Sequence, residues 1–177
     1  MIDLNEAVVL ARDALVLCPP GHPRRPRHLN NLARSLSARC KQLKGIEDLN
    51  EAIVLDRDVL VLCQPGHPHR STALNNLSGS LSARYKELKG MEDLDEAIVL
   101  AQDALVLRPP GHPHRLRPLN NLALSLFARY KQLKRMEGLD EAIELNREAL
   151  KLRPPGYPNR SASLESLANC LRVRFIQ

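Results

Sequence analysis

Apolar residues recur along the chain in two patterns, both with the three- and four-residue spacing of a helix that buries one side. The first is clear in DLNEAIVLDRDVLVL at 48–62, where positions 49, 52, 53, 55, 59, 60 and 62 are apolar. The second is LNNLARSLSARCKQLKG at 29–45, in which Leu29, Leu32, Ala33, Leu36, Cys40 and Leu43 form one stripe. No strand pattern occurs anywhere. An acidic residue with Glu three positions later opens the first pattern at Asp3 and Glu6, Asp48 and Glu51, and Asp93 and Glu96. That spacing predicts a capping box, the Glu reaching back to cover unpaired amides of the first turn. Gly138 replaces the acid in the fourth copy, whose start is expected to fray. Pro65 and Gly66, or Pro-Pro-Gly in the other copies, stop this helix. Pro23, Pro68, Pro113 and Pro158 lie near the start of the second helix, where a missing amide costs nothing. Gly45 and Gly90 suit the left-handed position after its end.

The two patterns alternate with a fixed period. Leu4, Leu49, Leu94 and Leu139 stand 45 residues apart, as do Gly21, Gly66, Gly111 and Gly156. Residues 46–90 and 91–135 agree at 30 of 45 positions without an insertion, so they are copies of one structural unit. The expected architecture is an all-α solenoid of eight helices, a single array over 1–177 in units 1–45, 46–90, 91–135 and 136–177. The chain opens on a helix of the first pattern and closes on one of the second, RSASLESLANCLRVRFIQ. It reads as a piece of a longer array, with uncapped terminal helices that expose apolar faces and favour self-association or marginal stability.

Composition sharpens this picture. Aromatic residues make up 3% and Trp is absent, so the core is built from Leu, Ala, Val and Ile. The N-terminus carries Asp3, Glu6 and Asp13 and lacks a signal peptide's basic start and cleavage site, and no apolar run is long enough to span a bilayer. A soluble, cytoplasmic protein is expected. Cys18, Cys40, Cys63 and Cys170 form no CxxC pair and read as free thiols of a reducing compartment.

These residues resemble the tetratricopeptide repeat. Leu29, Leu32, Ala33 and Leu36 fit the first helix of that family. Ala52, Val59 and the Gln64-Pro65 stop fit the second, as do Ala97, Ala104 and Pro109, and Ala142, Ala149 and Pro154. The paired LNNLA and GHP elements are similar to the longer repeats of kinesin light chains and of fungal proteins in which such arrays precede a caspase-like CHAT protease domain. Two departures stand out: the period is 45 rather than the commoner 34 residues, and the large residue expected between the two small ones is Ala11, Asp56, Ala101 or Asn146. The resemblance implies that the LNNLA helices line a concave groove, that the protein holds another polypeptide, and that it is not an enzyme. A structural or regulatory spacer of a larger protein, such as a CHAT-type protease, is the alternative.

Charge divides between the two helix types. The LNNLA helices with their preceding loops sum to +18 and the others to −12. Off the core stripe, Arg27, Asn31, Arg34, Ala38 and Lys41 share one face; their counterparts are Thr72, Asn76, Gly79, Ala83 and Lys86, then Arg117, Asn121, Leu124, Ala128 and Lys131. A ladder of Asn31, Asn76 and Asn121 suits an extended peptide, because each amide offers a donor and an acceptor to main chain regardless of side chain, and the kinesin light chain resemblance implies the same role. The same Asn residues also suit a bridge between neighbouring helices. Lys and Arg beside them favour acidic ligands. Arg39, Arg84, Arg129 and Arg174 lie against the core stripe, where ion pairs with Glu51 and its equivalents are expected.

Other chemistry is weaker. His67 with His69 and His112 with His114 lack a third ligand for a metal, and GHP reads as a loop turn that starts the next helix. No Cys recurs with a His as protease chemistry requires. Nucleic-acid binding is prompted by a pI near 9.4 but lacks aromatic stacking platforms. No cofactor is expected.

Overall fold

The computed structural model describes residues 3–176. Among them the chain forms eight helices: α1 (Leu4–Val16), α2 (Arg25–Leu43), α3 (Ile46–Leu62), α4 (Arg70–Leu88), α5 (Met91–Val106), α6 (Leu116–Leu133), α7 (Met136–Lys151) and α8 (Arg160–Phe175). No strand occurs among the described residues. The helices fall in two compact units, Met1–Asp93 and Leu94–Gln177.

In the first unit, Leu29, Leu32, Ala33 and Leu36 of α2 meet Ala52, Leu55 and Val59 of α3, with Val8 from α1 and Ala73 from α4. Each fully buried Leu contributes about 2 kcal/mol relative to exposure. Ala52 is fully buried, and its small side chain lets the neighbouring helix approach closely. The second unit repeats the arrangement with Leu119, Leu122 and Leu126 of α6 against Leu139, Ala142 and Ile143 of α7, all buried. The core stripe read from the sequence holds except at its end, since Leu43 is exposed, as is Leu62 on α3.

The helix connections follow from Pro and Gly. The backbone N–H of His22 donates to Pro19 O at 3.0 Å, with the equivalent bonds at His67, His112 and Tyr157, while Gly21, Gly66, Gly111 and Gly156 take φ of 86 to 88°. These are type II turns, which want Pro second and Gly third. A second turn follows at once: Arg25 N–H donates to His22 O at 2.9 Å around Pro23. His22, His67 and His112 each accept, through Nδ1, the backbone N–H two residues on at 3.1 Å. GHP is thus a turn and helix-start element. At His112 burial, then the charges of Arg108 and His114, hold the imidazole below its ordinary range.

Two features of the helix ends differ from the sequence expectation. The left-handed residues closing α2, α4 and α6 are Lys44, Lys89 and Lys134, at φ of 60, 61 and 55°, so Gly45 instead serves as the extended N-cap of α3. The acidic cap forms at α1, where Asp3 accepts from the N–H groups of Asn5 and Glu6 at 2.9 and 3.4 Å, and not at α3. At α3 the helix starts three residues earlier, at Ile46, which moves Asp48 into the first turn and frees its carboxylate for a different partner.

Candidate peptide-binding face

That partner is Arg39. Its Nε and one terminal nitrogen donate to the two Asp48 oxygens at 2.7 and 2.6 Å, and the other donates to Asn5 Oδ1 at 3.2 Å. One guanidinium on α2 therefore joins α1 to α3. The bidentate bond holds the Asp48 carboxyl below its usual range and raises Arg39. Arg84 repeats the geometry, with Asp93 at 2.7 and 2.6 Å and Asn50 at 3.0 Å. In the second unit Gly138 stands where the Asp would be, and Arg129 keeps only the preceding helix, its NH1 3.7 Å from Asp95. Arg174 reaches Asp140 at 3.0 Å. The ion pairs expected of these arginines exist, but with Asp rather than with Glu51; Glu51 takes Arg12 at 2.6 Å. The same finding revises the reading of Gly138, whose cost is a missing Arg129 partner rather than a missing cap.

A second arginine series went unrecognised in the sequence, although its 45-residue period is visible there. Arg25 NH1 donates to Cys18 O at 2.6 Å and Arg70 NH1 to Cys63 O at 2.8 Å. Arg115 donates to Arg108 O at 2.5 Å, and Arg160 to Leu150 O at 3.1 Å and to Arg153 O. Each ties the start of an even-numbered helix to the last carbonyls of the helix before it, where cations suit both the unpaired acceptors and the negative helix end. Arg115 also reaches Glu148 at 2.5 Å. Eight arginines of the basic helix type are therefore engaged in holding helices together.

What remains exposed is narrower. Arg27, Asn31, Arg34 and Lys41 are all exposed along α2, spaced 4, 3 and 7 residues apart on one face. On α4, Lys86 is exposed and Asn76 partly buried; on α6 of the second unit, Arg117 and Lys131 are exposed and Asn121 partly buried. Lys131 lies 4.6 Å from the Phe127 ring centre. The Asn76 amide donates to Asn30 Oδ1 at 3.1 Å, so the second Asn of one repeat bonds the first Asn of the repeat before it. The bridging role left open for these amides is realised at Asn76, whose Oδ1 still has acceptor capacity.

Among the described residues no group of three or more His, Cys, Asp or Glu is placed to hold a metal, and no helix is long and apolar enough to cross a membrane. The four cysteines are free and buried.

Paired helices of constant period, small residues at their crossings and Pro-Gly stops define an α-α solenoid of tetratricopeptide-like hairpins. No protein-family profile and no curated protein matches the chain. Solved structures do. A kinesin light chain-type protein of Podosopora anserina with nearly identical TPR-like repeats matches over 98% of this chain and 80% of its own, at 22% identity and a TM-score of 0.65. A single-substitution variant of that protein matches over the same spans at 21% identity and a TM-score of 0.66.

Proposed function

We propose that this chain is a non-catalytic protein-interaction scaffold that takes an extended, acidic peptide along the outward row of its LNNLA helices. The observation that supports it is the row Arg27, Asn31, Arg34 and Lys41, exposed on one face of α2. Arginines with structural work are tied down; these are free to meet a ligand. Carboxylates of the peptide pair with Arg27, Arg34 and Lys41, while the Asn31 amide both donates to and accepts from its main chain. Asn76 and Lys86 continue the face on α4, and Arg117, Asn121 and Lys131 offer the same chemistry on α6 of the second unit. In tetratricopeptide arrays this face is the concave groove, and the likeness in fold makes the assignment a natural one.

The test is panning against a random peptide library, with affinities of the recovered peptides measured by fluorescence anisotropy. Acidic sequences should be enriched. Replacing Arg27, Arg34 and Lys41 together by Ala should weaken them on the order of tenfold or more and flatten their salt dependence, since screened surface charges lose strength as ions are added. Asn31→Ala should cost about 1 kcal/mol of binding, the worth of one hydrogen bond. Unchanged affinity in both variants would overturn the reading.

A further inference from the structure

Helix α1 is a sequence copy of α3, the stretches 3–18 and 48–63 agreeing at 13 of 16 positions. In the first unit α2 packs on α3, where Leu49, Ala52, Leu55 and Val59 are buried. On α1 the equivalent Leu4, Ala7, Leu10 and Ala14 are not buried; Leu10 is 60% exposed where Leu55 is 9%. Helix α8 is the complementary case. It stands in the place of α2, α4 and α6, yet Leu164 is 48% exposed where Leu29 is 2%, and Phe175 is 81% exposed where Tyr130 is 2%. The two open faces are thus the two kinds of face that are pressed together elsewhere in the same chain, α2 on α3 in the first unit and α6 on α7 in the second.

Charge fits the same pairing. Arg39 makes its double bond to Asp48, nine residues on, and Arg84 does the same with Asp93. Arg174 stands in their place on α8, with one terminal nitrogen on Asp140 at 3.0 Å, and Asp3 stands in the place of Asp48 at the start of α1. We propose that copies of this chain associate head to tail, the open face of α8 in one copy seating on the open face of α1 in the next. The seating buries Leu164 and Phe175 of one copy with Leu4 and Leu10 of its partner, and brings Arg174 to Asp3 Oδ2, the oxygen that the α1 cap leaves open. Because the two faces differ, a single such contact leaves an α1 face open on one copy and an α8 face on the other, on which further copies can add.

Sedimentation velocity of the 177-residue chain over a concentration series tests this, with Leu10→Glu and Phe175→Glu as the variants. Both positions are exposed, and far-ultraviolet circular dichroism checks that the helices are retained. The unaltered chain is expected to give a series of species that lengthens with concentration. Each variant alone should sediment as a monomer, because one of its two faces is lost, and an equimolar mixture should form dimers and stop there. Arg174→Asp should weaken the series. A chain that stays monomeric at every concentration overturns the proposal, and so does assembly of either variant by itself, which marks pairing of like faces.

Discussion

Asp56 shows what one side chain does to this fold. It lies buried on α3, and Ser80 Oγ donates to its Oδ2 at 2.7 Å. Burial pushes its carboxyl from the ordinary 3.8 up to about 6, against the opposing effect of the Ser80 bond. The folded state therefore keeps this proton to a higher pH than the unfolded chain does. Its ionisation costs stability: the cost is absent below the unfolded value, grows as pH rises through the interval to the folded value, and is constant above it. The repeat supplies its own alternatives at this position, Ala11, Ala101 and Asn146, and Asn146 is satisfied in the core by donating to Ala142 O at 2.8 Å. Asp56→Asn is expected to stabilise the chain at pH 7 by about 1 to 3 kcal/mol, with the gain shrinking to nothing near pH 3.5. Urea unfolding of both proteins at several pH values measures it as a difference, which cancels the opposite trend from Asp48. A gain that does not depend on pH would show that Asp56 is not the titrating group. The position is legible in the sequence as a departure from the repeat; its burial without a cation is not, because that depends on which neighbours reach it.

At the scale of the helix, the Lys-Gly junctions show why chain ends of elements are harder to read than their faces. Gly45 after a run of helical spacing looks like the left-handed stop, yet Lys44 carries the positive φ and Gly45 begins α3. The shift of one residue is set by the tight α2–α3 connection, which must end one helix and cap the next within two residues. A non-glycine residue in the left-handed region costs on the order of 1 kcal/mol. Lys134→Gly should therefore stabilise by about 0.5 to 1 kcal/mol, a rise of roughly 2 °C in the thermal midpoint for a chain of this size. Gly45→Ala should be close to neutral, because φ there is −75° and the nearest atom to an added Cβ is Glu47 Oε2 at 4.0 Å. Gly111→Ala, at φ of 87°, should destabilise by about 1 kcal/mol or more. Calorimetry on the three variants separates this assignment from the sequence expectation, which puts the penalty at Gly45.

Across the whole molecule, the period of 45 residues carried most of the architecture, because identical units must make identical junctions. Helix type, stripe and the Pro-Gly stops could be read from the repeat, whereas the Lys-Gly junctions could not. The use of the charges could not: +18 on one helix type reads as a binding wall until geometry shows Arg25, Arg70, Arg115 and Arg160 on helix ends, and Arg39 and Arg84 on aspartates. Such a solenoid is held by neighbour-to-neighbour contacts, so its stability is local, and helices with a half-open face should open more readily than those covered on both sides. The cysteines report on this, since all four are buried and burial raises the thiols of Cys40, Cys63 and Cys170, suppressing the reactive thiolate. Cys18 closes α1 and Cys170 lies on α8, the helices with open faces, whereas Cys63 lies between α3 and α4. Native-state thiol labelling read by mass spectrometry, in protein dilute enough to be monomeric, should therefore modify Cys18 and Cys170 before Cys63. Raising the concentration should slow the labelling of Cys18 and Cys170 selectively if those faces are the ones that meet between copies. Equal rates at all four thiols would instead mean that the array opens as one cooperative block, and that its junctions are coupled beyond nearest neighbours.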